Sequence, residues 1–176
     1  DSNGAKDEGL LSIDSSTGVV AFISVPNFET PTDVGADNKI EFSVLVSDGS
    51  LEVSQDYSFS ITNVNEAPTI STSSFSIAEG STAIGTVAAS DPDASSTLSY
   101  TISGTDSSKF SINASSGAVA FLSPPNFESP TDNGLDNTYN FTVTVSDGSL
   151  SSSQSIAVAV GNVNEAPSFS IASAQS

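Results

Sequence analysis

Apolar and polar residues alternate with a period of two through long stretches of this chain. Phe141, Val143 and Val145 alternate with Thr142, Thr144 and Ser146, and Ile156, Val158 and Val160 resume the pattern after a break. A period of two marks a half-buried β-strand, because successive side chains point to opposite faces. The break contains Asp147-Gly148 followed by Ser149, which predicts a hairpin. The same reading places seven strands in the later part of the chain, at about 69–77, 82–89, 97–102, 109–112, 117–122, 138–146 and 151–161. Ser, Thr, Gly, Asn and Pro fill the gaps. Seven short strands in about 95 residues predict an all-β, immunoglobulin-like Greek-key sandwich. The inward positions are Phe75, Ile77, Ile84, Val87, Leu98, Tyr100, Ile102, Phe110, Ile112, Val119, Phe121, Phe141, Val143, Val145, Ile156, Val158 and Val160.

A longer period lies over the short one. Asn63-Val-Asn-Glu-Ala-Pro68 returns as Asn162-Val-Asn-Glu-Ala-Pro167, an offset of 99, and 27–68 matches 126–167 at 25 of 42 positions. That identity predicts tandem sandwiches. Residues 1–66 form a partial module, with strands expected at about 10–13, 18–23, 39–47 and 51–62. Residues 67–166 form a complete one, and 167–176 open a third module or form a tail. Asp1 aligns with Tyr100, so the first module lacks a counterpart of 67–99, and its opening segment, Asp1 to Gly9, lacks the apolar alternation of 97–102. The expectation is an excerpt from a longer array, with an edge and half a core exposed. The missing strands either precede this segment or come from another chain.

Charge narrows the function. The 176 residues carry 21 acidic side chains, three basic ones and no His, for a net charge of −18. Nucleic acid and anionic membrane surfaces are poor partners, because both need clustered Lys or Arg. No apolar run reaches the 18 residues of a membrane span, so no membrane insertion is expected in this segment. Without Cys there is no disulfide and no thiolate metal site. Absence of both His and Cys removes the common nucleophile–base pairs, so an enzyme is not expected; only a two-carboxylate glycosidase mechanism remains open.

The residues repeated most faithfully are Asp, Glu and Asn at turns. Four acidic clusters matter in the second module: Glu79 after the first strand, Asp91-Pro-Asp93 between the second and third, Asn126-Phe-Glu128 after the fifth, and Asp147 near the end of the sixth. Asn63, Asn65 and Glu66 precede the module, and Asn162, Asn164 and Glu165 follow it. Asp-x-Asp puts two carboxylates on one side of an extended segment. Like charges gathered at a module end repel unless a cation neutralises them. A set made only of oxygen donors suits Ca²⁺, and Mg²⁺ less well because it favours octahedral geometry and retained waters. Each motif also has a plain reading: Asp147-Gly148 as a hairpin turn, Asp91-Pro-Asp93 as an Asx-type turn, and the Asn-x-Asn-Glu-Ala-Pro linker as a stiff hinge.

In this order the motifs resemble the cadherin repeat, in the form found in bacterial surface proteins and adhesins. The matching positions are Glu79, Asp91 and Asp93, Glu128, Asp147, and Asn63-x-Asn65-Glu66. The chain departs from the family pattern in two places. Its linker reads Asn-Val-Asn-Glu-Ala where cadherins carry Asp-x-Asn-Asp-Asn, and Asn126-Phe-Glu stands for Asp-Arg-Glu. Fewer ligand charges imply weaker or fewer ions. The resemblance implies calcium at the junctions between modules. One ligand set is Asn27, Glu29, Asn63, Asn65 and Glu66 with Asp91, Asp93 and Asp147. A second begins with Glu79, Glu128, Asn162, Asn164 and Glu165, its other half belonging to a following module. Asp48 belongs to an upstream junction. The function implied is an extracellular, cell-surface adhesion module stiffened by Ca²⁺, with adjacent repeats as its partners. The alternative is a sandwich that binds carbohydrate or a like module; few aromatics are available to build a sugar platform, since Trp is absent and most Phe fall on core parity.

Two further features have open roles. The loop Pro130-Thr-Asp-Asn-Gly-Leu-Asp-Asn137 repeats Pro31-Thr-Asp-Val-Gly-Ala-Asp-Asn38. It either holds another ion between Asp132 and Asp136 or is a solvated loop with Asn and Gly in left-handed conformations. Asn113-Ala-Ser and Asn140-Phe-Thr match the glycosylation acceptor pattern, which is common by chance.

Overall fold

The structure is a computed structural model and describes residues 6–167. The chain forms two compact units, one ending at Asn65 and one beginning at Glu66. In the first unit β1 (Leu11–Ile13) pairs with β2 (Val20–Phe22), and β3 (Lys39–Ser47) with β4 (Glu52–Ser60), both antiparallel. The second unit contains β5 (Thr69–Ile70), β6 (Ser74–Ala78), β7 (Ala83–Thr86), β8 (Ala89–Ser90), β9 (Ser99–Ser103), β10 (Phe110–Ile112), β11 (Ala118–Phe121), β12 (Thr138–Ser146) and β13 (Ser151–Gly161). One sheet has the order β6-β13-β12-β9, a second β10-β11-β7, and β5 pairs with β8. The all-β sandwich expected from the alternation is the fold of this unit.

The two longest strands of the second unit carry its core. Along β12 every second residue from Tyr139 to Val145 is buried, and Ile156, Val158 and Val160 do the same on β13. They pack against Phe110, Val119 and Phe121 of the other sheet. The Phe110 ring centre lies 4.5 Å from that of Phe121 and 4.6 Å from that of Phe141. All the inward positions expected in this module lie in this core or against it. Tyr139, Ile70 and Ala89 join it unforeseen. Tyr139 shares the parity of Phe141, and its hydroxyl, which accepts the Thr131 N–H at 3.2 Å, is what permits full burial.

Two expected strands are broken. The stretch 69–77 divides at Ser71–Ser73: β5 pairs with β8, while β6 runs parallel to β13. The polar hinge satisfies both neighbours, since Thr72 Oγ1 accepts the Ala88 N–H at 2.8 Å and the Ser73 carbonyl accepts the Ala157 N–H at 3.3 Å. The stretch 82–89 divides at Val87-Ala88, where the buried Val87 donates its N–H to the Gly117 carbonyl at 3.0 Å. One strand cannot follow two sheets without leaving one ladder for the other.

In the first unit Ile40 and Phe42 are buried, but Leu45, Val53, Tyr57 and Phe59 on β3 and β4 are exposed. The readings that fall on residues 1–5 and 168–176, including a third module opening in the tail, lie outside the described residues.

Register fixes the two ends of the second unit. Ser99 opposes Ser146, so the Asp147 turn and the approach to β9 share one end. Ala78 opposes Gly161, so Glu79 and the segment leaving β13 share the other.

Candidate metal centre

At the second of these ends three carboxylates converge. Glu79 follows β6, Glu128 lies in the long connection between β11 and β12, and Glu165 follows β13. One oxygen of each lies within 4.8 Å of the other two. Glu79 is half-buried, while Glu128 and Glu165 are exposed. Two ion pairs occur among the described residues, Lys6–Asp56 and Lys39–Glu41, and neither involves this cluster.

Backbone donors hold Glu79 in place. Its Oε2 accepts the Phe127 N–H at 2.7 Å and its Oε1 the Val163 N–H at 2.8 Å. Those two bonds, Phe127 first, hold the Glu79 carboxyl below its ordinary 4.5 against a smaller opposing effect of burial. Glu165 moves the other way. Partial loss of water, then the charges of Glu128 and Glu79, push its carboxyl above 4.5. Asn162 Nδ2 donates to Glu128 Oε1 at 2.6 Å. Asn164 is exposed on the same outgoing segment. Of the five residues assigned to this end, the structure therefore gathers Glu79, Glu128, Asn162 and Glu165.

The other end holds Glu66, Asp91, Asp93 and Asp147. Carboxylate oxygens of Glu66 and Asp93 lie within 4.8 Å of each other, and Asp93 Oδ2 accepts the Glu66 N–H at 3.1 Å. Asp91 Oδ1 accepts the Asp93 N–H at 2.9 Å and the Ser96 hydroxyl at 3.1 Å. Asp91 Oδ2 is buried with no hydrogen-bond partner among the described residues. Asp147 occupies the β12–β13 turn, where its Oδ1 accepts the N–H groups of Ser149 and Leu150 at 2.6 and 2.7 Å. In the first unit Asn27 Oδ1 caps its own turn by accepting the Thr30 N–H at 2.9 Å, and Glu29 Oε1 is a second buried carboxylate oxygen without a partner among the described residues. Asn63 and Asn65 lie on the extended segment that ends that unit.

These donors fit a hard cation. They are carboxylate and amide oxygens, the ligands Ca²⁺ takes, and buried carboxylate oxygens without donors, such as Asp91 Oδ2, are costly unless something positive meets them.

The loop before β12 is exposed at Thr131 and from Asn133 to Asp136, but its Asp132 is buried. Asp132 is 2% exposed, and its two oxygens accept the N–H groups of Asp136 at 3.0 Å and Asn137 at 3.1 Å. Its carboxylate faces N–H donors. Asn137 is left-handed at φ 63°, as expected, but its companion is Leu135 at φ 54° rather than Gly134. A second buried carboxylate, Asp106, had no role in the sequence reading. Its oxygens accept the Asn133 N–H at 2.9 Å and the Asn140 N–H at 2.8 Å, which ties down both flanks of the loop. Its only advance signal was recurrence, since Asp7 stands 99 residues earlier and accepts the Val34 and Glu41 N–H groups at 2.6 and 2.7 Å.

The family model described as "Cadherin domain" matches residues 73–164. Among solved structures, mouse cadherin-23 EC22-24 is 23% identical with a TM-score of 0.60, over 92% of this chain and 51% of that one. Form II of human protocadherin-24 EC1-2 is 19% identical with a TM-score of 0.62, over 93% and 80%. Protocadherin gamma B2 extracellular cadherin domains 1-5 are 25% identical with a TM-score of 0.58, over 88% and 32%. This chain spans about half the length of the mouse structure. No curated protein matches it significantly.

Proposed function

The chain belongs to the cadherin family, and on that footing we propose that it is an extracellular structural and adhesion module whose acidic ends bind Ca²⁺. The observation that carries the proposal is the convergence of Glu79, Glu128 and Glu165 within 4.8 Å, to none of which a Lys or Arg among the described residues is ion-paired. The Glu165 carboxyl is pushed up by partial loss of water and then by the charges of Glu128 and Glu79, and a divalent ion would remove that repulsion.

Glu79, Glu128 and Glu165 supply carboxylates to the ion at the outgoing end, with Asn162 orienting Glu128 and Asn164 as a further oxygen donor. At the incoming end of the second unit Asp91, Asp93 and Asp147 act with Glu66, while Asn27, Glu29, Asn63 and Asn65 are the oxygen donors that the first unit offers. Bound Ca²⁺ supplies the positive charge that lets acidic module ends adjoin, so a string of repeats holds itself extended. The partners are adjacent repeats of the same protein and, at the cell surface, like modules or carbohydrate.

The test is a calorimetric Ca²⁺ titration in chelator-treated buffer. Saturable binding is expected in the range of about 10⁻⁴–10⁻³ M typical of extracellular modules. Asp91→Ala and Glu128→Gln should each abolish or weaken one component of it. Absence of saturable binding would sink the calcium reading and leave the alternative, a sandwich that binds carbohydrate or protein through its strand faces.

A further inference from the structure

The carbonyl of the Phe127–Glu128 peptide bond has its own clamp. Asn137 Nδ2 donates to Phe127 O at 2.9 Å, while the Phe127 N–H donates to Glu79 Oε2 at 2.7 Å. Phe127, the residue before Glu128, is therefore held through both of its backbone groups, its N–H by Glu79 and its carbonyl by a side chain ten residues further on. Asn137 is itself fixed. Its N–H donates to Asp132 Oδ1 at 3.1 Å, and this bond holds it at φ 63°. Asp132 also accepts the Asp136 N–H, and Asp106 anchors the flanks through Asn133 and Asn140.

The arrangement occurs twice. In the first unit Asn38 is also at φ 63°, its N–H donates to Asp33 Oδ1 at 3.2 Å, and its Nδ2 donates to Phe28 O at 2.9 Å. Phe28 directly precedes Glu29, as Phe127 precedes Glu128. Both copies of the repeated sequence thus keep the clamp on the same peptide, one residue before a carboxylate. Two non-glycine residues in left-handed backbone also add strain that a plain connection would avoid. The buried carboxylates of Asp132 and Asp106, met by backbone N–H donors, offset it.

We infer that Asn137, set by the buried Asp132, is a positioning residue that holds the Phe127–Glu128 peptide so that Glu128 and Glu79 present their oxygens to one cation. Groups that orient metal ligands typically change affinity by about 10–100-fold when removed. The inference rests on the calcium reading of that end.

The test compares Ca²⁺ titrations of the whole chain carrying Asn137→Gly, Asn38→Gly or Glu128→Gln. Glycine keeps the left-handed backbone and deletes only the clamp. Asn137→Gly should weaken the Glu128-dependent component about tenfold, with the chelated protein melting as the wild type does. Asn38→Gly makes the same lesion in the first unit and should leave that component unchanged. If Glu128→Gln weakens binding while Asn137→Gly does not, the positioning role is wrong and the calcium site stands. If wild type shows no Glu128-dependent binding, the calcium reading itself fails and the clamp serves loop structure alone. Should Asn137→Gly lower the melting temperature of the chelated protein, Asn137→Ser decides the matter. It is too short to reach Phe127 O, and wild-type affinity in that variant overturns the proposal.

Discussion

Glu79 Oε1 accepts the backbone N–H of Val163 at 2.8 Å, so the residue that follows β6 is bonded to the segment leaving β13. One carboxylate thus has two tasks, fastening the end of a parallel strand pair and joining the acidic cluster. Glu79→Gln keeps one acceptor and turns the other oxygen into a donor that faces an N–H. The variant should lose Ca²⁺ affinity by at least about tenfold, because ligand charge sets affinity in such sites. It should also melt below wild type in chelator, where no ion is involved. Paired melting curves with and without Ca²⁺ check both; an unchanged chelated curve would show that the two backbone bonds contribute nothing.

Glu165 should respond with the opposite sign in chelator. Its carboxyl is raised by loss of water and by Glu128 and Glu79, so the folded state favours its protonated form. Its contribution to stability is complete below the ordinary 4.5 and is lost as pH rises through the raised value. At neutral pH Glu165→Gln is therefore expected to leave the chelated protein as stable as wild type or more so, yet weaken Ca²⁺ binding. A drop in the chelated melting temperature of this variant would contradict the repulsion argument.

Acid should open the loop before β12. Burial raises the Asp132 carboxyl, but the N–H bonds from Asp136 and Asn137 outweigh it and the net shift is downward; Asp33 behaves likewise, with Asp37 and Asn38 as its donors. A lowered carboxyl contributes stability above its ordinary 3.8 that is lost as pH falls through the folded value. Amide exchange of Asp136, Asn137, Asp37 and Asn38 should accelerate, relative to the strand amides of β12 and β13, only below that range. Equal protection at pH 5 and pH 2 would rule the mechanism out.

Gly117 and Gly18 offer a matched pair. They occupy equivalent turns at φ 70° and 72°, but a Cβ on Gly117 would meet the Tyr100 ring at 2.8 Å and the Val87 carbonyl at 3.0 Å, while one on Gly18 would meet nothing within 4 Å. Gly18→Ala should cost about 1 kcal/mol from left-handed backbone alone. Gly117→Ala should cost about 3 kcal/mol, since overpacking adds to the same strain. Urea unfolding of the two variants checks the difference, and equal losses would mean that Tyr100 yields freely.

Strand type, core parity and acidic clustering were legible in the sequence because each is a local rule. Period-two alternation dictates which face of β12 and β13 is buried, and an offset of 99 marks which turns recur. Recurrence also singled out Glu128, Asn162 and Glu165, and the family resemblance added Glu79; the fold then gathers all four at one end of the second unit. What stayed hidden depends on partners far along the chain. The break at Ser71–Ser73 arises because β5 and β6 belong to different sheets, and nothing local at those residues names their neighbours. The donors that fix Glu79 are main-chain N–H groups, present at every residue but proline and so silent in sequence. Asp106 and Asp132 look like two more surface acids until the fold buries them against such donors. Residue identity and spacing thus determined what could be a strand, a core position or an oxygen ligand. Tertiary structure alone decided which backbone groups meet each carboxylate, because that follows from how strands distant in sequence come into register.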